Sequence, residues 1–589
     1  MKHFEYINIA GRMLSAIFFS GFFITAIAQE STEKIRLNQI GFYPDAPKIA
    51  ILAENKSGKF YITTPDLKDT VFTGILSEPH TNTISGKITR WADFSALQKK
   101  GTFVVAIPET GKSYPFEIKT GVFKELAKGA MKSYYFQRAS IDLPEKYAGI
   151  WKRAAGHPDD HILVHNSASS DDRPVGSVIF GARGWYDAGD YNKYIVNSGI
   201  TMGTLLSAYE DYQGYVKKMN LTIPESNNKI PDLLDEAIWN LRWMLTMQDP
   251  YDGGVYHKLT NSSFDSMIMP AKATKDRFVV QKNTIATLDF AAVMAQASRI
   301  FRNHKAELPG LADSCLAAAQ KAWLWTEKNP DVWYRQNEMN KKYDPDVVTG
   351  GYEDRDAKDE FIWAATELYL ATKNEKYYQS VAIFPDKNTP LPSWNQVRTL
   401  AYYSLARFEK QLTPIARKDI PILKEHLTEF AENLMSGIEN QAYQTVMGKT
   451  AKDYIWGSSS VAANQGIALI QAYKLTNNKK YLYGALSNLD YLLGRNATGY
   501  SFVTGFGDKT PMHPHHRPSE ADGIELPVPG LLSGGPNPGK QDKCEGYPSD
   551  FADECFLDNV CSYASNEIAI NWNAPLVYLT IAIEASFKK

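Results

Sequence analysis

The amino-acid sequence predicts a small all-β sandwich followed by a large all-α domain. Three observations carry that prediction. Short β-rich runs broken by Pro, Asn and Gly fill the segment from about 34 to 119. Past Thr120 the apolar residues recur at helical spacing and largely keep doing so to the C-terminus. The chain has 589 residues, more than one ordinary core organises, with the 44% hydrophobic and 22% charged content of a folded globular protein. Residues 33–119 are therefore assigned to the sandwich and 120–589 to the helical domain.

Residues 1–28 read as an export signal. Lys2, His3 and Arg12 precede an apolar run from Met13 to Ala28, which ends in Ala26-Ile27-Ala28 before Gln29-Glu30, a small-x-small cleavage pattern. The run is shorter than the roughly 20 residues of a spanning helix. No cysteine follows it to take a lipid, and no later segment is apolar enough to span a membrane. The expectation is an exported, periplasmic or secreted monomer, with no membrane segment in its mature form and disulfides permitted. The 64 basic and 66 acidic residues leave a formal charge of -2, which gives no reason to expect a nucleic-acid partner. Tyr, Trp and Phe number 33, 12 and 27, enough to supply flat sugar platforms as well as core.

Within the sandwich, the clearest strands are Lys48 to Leu52, Lys59 to Thr63 and Thr102 to Ile107. The segment holds no clustered His or carboxylates, so it reads as a packing module. In the second domain Leu423, Leu427, Phe430 and Leu434 mark one face of a helix. Ten more helices are read at about 122–136, 196–213, 230–248, 283–303, 310–327, 357–372, 397–409, 459–475, 478–493 and 563–586. Two concentric antiparallel layers would bury such a set, and the pattern leaves a closed barrel and an open solenoid both possible. Two long loops stand out, at roughly 140–190 and 497–562. Loops of that length in a compact domain are usually functional.

Chemistry concentrates in three places. The first loop ends in Gly184-Trp185-Tyr186-Asp187-Ala188-Gly189-Asp190, two carboxylates on a glycine-containing turn beside aromatic rings. Such a turn suits the handling of water next to a sugar, although Asp190 as a helix N-cap would look the same. The second place is Ser501 to Lys509 followed by His513-Pro514-His515-His516-Arg517. Three histidines in four residues invite a metal, but the fixed cation of Arg517 disfavours one, so donors aimed at hydroxyls or an anion are the better reading. The third is Phe556-Leu557-Asp558 and Tyr563 to Pro575, where Glu567 is read as opening a helical run. Burial beside Tyr563 and Trp572 would raise that carboxyl's pKa, and a helix N-terminus would lower it.

Taken together, the three stretches resemble glycoside hydrolase family 9, the inverting β-glucanases that include many cellulases. Asp187-Ala188-Gly189-Asp190 matches its amino-terminal catalytic motif. The run Ser501 to Arg517 matches its histidine signature, and Asp558, Tyr563, Glu567, Ala569, Asn573 and Ala574 match its acid signature. The β-rich N-terminus, opening Ile35-Arg36-Leu37-Asn38-Gln39, resembles the immunoglobulin-like module that precedes many such domains. The resemblance implies an (α/α)6 barrel that needs no cofactor for its chemistry and acts on a β-glucan polysaccharide or oligosaccharide. It also implies roles: Asp190 as general base, Asp187 sharing its water with both carboxylates ionised, and Glu567 as general acid. His515 and Arg517 would bind sugar hydroxyls, and Asp558 would order the acid's surroundings. Trp185, Tyr186, Trp456, Tyr256 and His257 would line the substrate. Asp359-Glu360 resembles part of a family calcium site, although a charged helix N-terminus fits the same residues. Cys544 and Cys561 bracket the loop leading to Glu567 and would pair, with Cys555 the competing partner and Cys315 a buried thiol.

The leading function is endo-acting hydrolysis of β-1,4-glucosidic bonds in cellulose, mixed-linkage glucan or xyloglucan. If the loop at 140–180 closed one end of the cleft, the enzyme would be exo-acting. A catalytically dead carbohydrate-binding protein is the third reading, opposed by the intact Asp187, Asp190 and Glu567.

Overall fold

The computed structural model describes residues 31–587, so the signal-peptide segment lies outside the described residues. The N-terminal part is a two-sheet β-sandwich. One sheet runs Ile35–Arg36, Ile49–Leu52, Ile88–Asp93, His80–Thr81. The other runs Gly41–Phe42, Phe116–Ile118, Gly101–Ile107, Lys59–Thr63, Thr70–Ile75, with Gly111–Lys112 pairing on Gly101–Ile107. The pairs are antiparallel except Gly41–Phe42 on Phe116–Ile118. Alternate residues face inward, so Phe60, Ile62, Phe103, Val105 and Phe116 form the core between the sheets.

Twelve helices build the second part. They are α1 Lys124–Phe136, α2 Ile195–Val216, α3 Asp232–Thr246, α4 Thr284–Phe301, α5 Leu311–Lys328, α6 Lys358–Thr372, α7 Glu375–Gln379, α8 Arg398–Arg407, α9 Ile420–Met435, α10 Ser458–Thr476, α11 Lys479–Leu492 and α12 Ile570–Ser586. Even-numbered helices form the inner ring of an (α/α)6 barrel and odd-numbered helices the outer. The inner helix α2 packs between α12 and α4, α6 between α4 and α8, and α9 touches both α8 and α10 to complete the circuit. Composition separates the layers. In α4 every residue but Arg299 is buried, because it meets neighbours on all sides. In α9 only Ile420, Leu423, Leu427 and Ala431 are buried, one stripe of an amphipathic helix.

The end of the barrel remote from the Asp187–Asp190 turn is tied by charge. Glu210 and Asp211 sit some fifteen residues along α2 from its start, about 22 Å at 1.5 Å per residue. Arg299 of α4 pairs with Glu210 at 2.9 Å and with Glu367 of α6 at 2.8 Å. Arg407 of α8 pairs with Asp211 at 2.8 Å and Glu210 at 3.1 Å. Lys474 of α10 also pairs with Asp211, and the Tyr578 hydroxyl of α12 donates to Asp211 at 2.6 Å. Three cations, three anions and a phenol thus draw on all six inner helices.

Two expectations need correction. The loop at 140–190 is not free of strands: it gives Val178–Ile179 and Ile162–Val164 to a five-stranded sheet that continues through Arg277–Val279, Lys258–Asn261 and Lys193–Tyr194. Nor is 563–586 one helix. Tyr563–Asn566 is a short turn of helix, Glu567 is extended, and α12 starts at Ile570. Backbone pairing is the cause, since Glu567 bridges His515 and Ile568 bridges Ser533.

The sandwich braces the loops behind the site. Asn38 donates to Asp490 at 2.7 Å. Gln39 donates to Gly499 O at 2.8 Å and accepts from the N–H groups of Asp508 and Lys509 at 2.9 and 2.8 Å. Ile49 and Ile51 pack against Ala442, Tyr443 and Ala497.

Candidate active site

The Asp187–Asp190 turn is held by backbone from three distant segments. Tyr186 N–H donates to Gln137 O at the end of α1, at 2.8 Å, and Ile570 N–H at the start of α12 donates to Asp187 O at 2.8 Å. Arg517 N–H and Nη1 both donate to Gly189 O, at 3.2 and 2.7 Å. Gly189 is needed for close approach, since a Cβ there would stand 2.1 Å from His515 O. Asp190 does not cap α2, whose first turn follows Tyr194. Its Oδ2 accepts from Asn192 N–H at 3.3 Å, from Asn192 Nδ2 and from the Tyr194 hydroxyl at 3.2 Å.

Asp187 is buried, with Oδ1 accepting from Asn197 Nδ2 at 2.6 Å and Oδ2 from the Tyr352 hydroxyl at 2.7 Å. Burial first, and then the charge of Asp190, push its carboxyl up to about 8 against the pull of those two donors. Against the expectation of two ionised aspartates, burial and the neighbouring charge favour the protonated form of Asp187.

Glu567 faces this turn. Its backbone pairs with His515, whose carbonyl oxygen packs on Gly189 between the two aspartates. Burial, then the charges of Asp190 and Asp187, raise the Glu567 pKa well above the usual carboxylate range, while Arg517 and the Gly189 N–H oppose the rise. The extended backbone at Glu567 removes the helix-dipole contribution considered from sequence.

His515 completes the wall. Its Nδ1 donates to Val560 O at 2.6 Å, which fixes the tautomer and leaves Nε2 as an acceptor in the neutral ring. Burial lowers its pKa and keeps it neutral. His515 lies 5.8 Å from the Tyr563 ring, which lies 5.5 Å from Trp456, itself 41% exposed. On the Asp187 side a second aromatic row runs Tyr194, Tyr352, Trp394 with centroid spacings of 4.9 and 5.4 Å. The carboxylates sit between the two rows.

Five residues read as substrate-binding have other work, while Asp558 orders the surroundings of Glu567 as expected. Trp185 is buried, its Nε1 reaching Glu236 at 3.4 Å and its ring packing on Tyr134. Tyr186 is buried with its hydroxyl on His157 Nδ1 at 2.9 Å. Tyr256 is buried with its hydroxyl donating to Asp249 at 3.0 Å. His257 is buried, stacked 4.0 Å from Tyr334, and bonded to Gly351 O at 2.7 Å and Asn283 at 2.9 Å. Arg517 spends Nε and Nη2 on Asp265 O at 3.0 and 2.8 Å as well as Nη1 on Gly189, so it positions the turn. Asp558 accepts from Met512 N–H, His513 N–H and Asn566 at 2.8, 2.9 and 3.0 Å, and so holds the histidine loop.

Residues that the sequence did not single out are Tyr352, Asn197, Trp394 and Lys258. Lys258 is buried, with Nζ donating to Gln336, Thr349 and Gly350 O at 2.6, 3.0 and 2.7 Å. Thr349 continues through Thr260, at 2.6 Å, to Asn192, at 3.0 Å, and so to Asp190. Burial lowers the lysine's pKa to about 7 against the attraction of Asp190 and Glu353. Of Tyr352, Asn197, Trp394 and Lys258, only Asn197 lies near the Gly184 to Asp190 motif, seven residues past its end.

The Cys544–Cys561 disulfide forms, with Cα atoms 6.0 Å apart, and Cys315 and Cys555 are buried free thiols. At the start of α6, Asp289, Asp354, Asp359 and Glu360 interact through their charges. Both oxygens of Asp289 and of Glu360, and Oδ2 of Asp354, are buried without a hydrogen-bond partner. That oxygen-only chemistry suits a hard cation. Asp359, however, spends Oδ2 on Val397 N–H at 2.7 Å, and no three His, Cys, Asp or Glu among the described residues are arranged to hold a metal ion.

Comparison with known proteins agrees with this layout. The family model for glycosyl hydrolase family 9 matches residues 123–580, and that for the cellulase N-terminal Ig-like domain matches residues 30–112. The chain is 45% identical, over 94% of each chain, to a xyloglucan-specific endo-beta-1,4-glucanase of Bacteroides ovatus. It is 34% identical to endoglucanase D of Acetivibrio thermocellus, covering 96% of this chain and 87% of that one. A solved structure described as Bacteroides ovatus GH9 superposes with a TM-score of 0.90 at 44% identity, covering 94% of this chain and 100% of that one.

Proposed function

The chain belongs to glycosyl hydrolase family 9, and on that premise we propose that it is an endo-acting β-1,4-glucanase that works by inversion and takes xyloglucan as its substrate. One observation carries the mechanism: Glu567 pairs with His515, whose carbonyl packs on Gly189 between Asp187 and Asp190, so the three carboxyls converge. Asp190, held by Asn192 and Tyr194, takes a proton from a water. That water attacks the anomeric carbon from the face opposite the leaving oxygen. Glu567, which holds its proton, gives it to the glycosidic oxygen as the C–O bond breaks. Asp187, held by Asn197 and Tyr352, helps hold the same water. His515 Nε2 accepts a hydrogen bond from a sugar hydroxyl. The rows ending in Trp394 and Trp456 stack sugar rings on either side of the scissile bond.

Xyloglucan is favoured by the relative that shares 45% of its residues over 94% of both chains. A panel of xyloglucan, mixed-linkage glucan and soluble cellulose with product sizing tests the substrate. Fast viscosity loss on xyloglucan is expected, and release of glucose alone would refute endo action. NMR of fresh product should show the α-anomer first. Glu567→Gln should cost at least roughly a hundredfold in turnover.

We also propose export, supported by the small-x-small pattern at Ala26 to Ala28 and by a disulfide of the kind that persists in oxidising compartments. A structural calcium near Glu360 is proposed on the unpartnered oxygens of Glu360 and Asp289. Calcium should then raise the melting temperature of chelator-treated protein, and equal melting with and without it would refute the site.

A further inference from the structure

A hollow of about 540 Å³ lies between the end of α3 and the strand Val178–Ile179. It opens at the same end of the barrel as the carboxylates, because the outer helix α3 ends there and the inner helix α4 starts from the loop that follows. Val178–Ile179 is the edge of the five-stranded sheet, four strand spacings from Lys193–Tyr194 beside Asp190. None of the residues lining the hollow belongs to the Asp187–Asp190 turn, to Glu567 or to the two aromatic rows, so the hollow is separate from the reacting bond.

Two aromatic rings flank it, Phe180 at 60% exposure and Tyr251 at 61%. Asp172, Arg173, Thr246 and Gln248 also line it, the Gln248 Nε2 being committed to Gly253 O and Ala318 O and the Thr246 hydroxyl to Trp243 O. The arrangement is fixed before any ligand arrives. Arg173 donates to the Tyr256 hydroxyl at 3.1 Å and lies 5.9 Å from the Tyr251 ring centroid. Tyr256 donates on to Asp249, which pairs with Lys282 at 3.0 Å and accepts from Tyr251 N–H at 3.0 Å. The neighbouring charges of Asp172 and Arg173 are opposite, so the lining favours a neutral ligand over an ion. Flat apolar faces beside a carboxylate, a guanidinium and an amide match a pyranose, which offers a C–H face and a rim of hydroxyls.

We propose that this hollow is a second, non-catalytic binding site for a β-glucan chain, with Phe180 and Tyr251 as its platforms. The inference rests on the glucanase reading above. The Phe180→Ala/Tyr251→Ala variant tests it against wild type on short xyloglucan oligosaccharides and on polymeric xyloglucan. Retention by immobilised polymer in a native gel is compared in the Glu567→Gln background. Turnover of the short oligosaccharides should be unchanged, while KM on the polymer rises and retention weakens by roughly fivefold. Equal behaviour on the polymer would overturn the second site while leaving the glucanase reading intact. Equal losses on short and long substrates would overturn it too, by assigning both rings to the catalytic cleft. A wild-type protein that cleaves neither substrate would instead refute the glucanase reading. If the double variant melts lower, Tyr251→Ser alone repeats the comparison at an already exposed position.

Discussion

Tyr352 and Asp187 are 165 residues apart in the chain and share a 2.7 Å hydrogen bond, the phenol donating. The same phenol ring joins Tyr194 to Trp394. One side chain therefore both orients a water-handling carboxyl and continues an aromatic row toward the substrate.

Replacing Tyr352 by Phe keeps the row and removes the donor. Turnover should fall about tenfold, the scale of one hydrogen bond to an ionisable group. KM should stay within about twofold. Unchanged turnover in Tyr352→Phe would show that the ring, and not the hydroxyl, is what matters.

Lys258 is linked to Asp190 through Thr349, Thr260 and Asn192. Its positive charge favours the ionised base. Lys258→Met should move the acidic limb of the kcat/KM profile to higher pH, and Lys258→Arg should restore it. An acidic limb at the same pH in all three proteins would break the link.

Asp187 ionises near 3.8 when unfolded and is pushed up to about 8 by burial and by Asp190. Between those values the folded state holds the extra proton. The stability this group contributes is fully present below its unfolded pKa and is lost as pH rises through about 8. Asp187→Asn cannot titrate, so its stability should fall less than that of wild type between about pH 6.5 and 8.5, by of order 1–2 kcal/mol. Denaturant melts at both pH values check this, and parallel losses would show that Asp187 is ionised throughout.

The Cys544–Cys561 bond closes the segment that carries Val560, and Val560 O holds His515 at 2.6 Å. Its removal by Cys544→Ser/Cys561→Ser should cost roughly 3 kcal/mol. It should also raise KM, because His515 loses its anchor. Unchanged KM in the destabilised variant would confine the bond to a structural role.

Helix positions and the three chemical stretches were legible because both are local patterns. Ten of the helical readings overlap single helices, and Asp187, Asp190 and Glu567 do converge. The failures have a common physical cause. Ile568-Ala569-Ile570 reads equally as helix or strand, and only pairing with His515 and Ser533 decides it. Trp185 and Tyr186 follow a glycine and precede a carboxylate, yet Tyr186 is tied to the end of α1 and both rings turn inward. Tyr352 has no local signature at all, because its partner Asp187 belongs to another helix–loop junction.

The six-helix charge ring at Glu210, Asp211, Arg299, Glu367, Arg407 and Lys474 makes the barrel a cup with a locked floor. No inner helix can slide along its axis without parting a largely desolvated ion pair or the Tyr578–Asp211 bond. Motion on binding a long polymer is thereby left to the lip, where the strands, the histidine loop and both tryptophan rows sit.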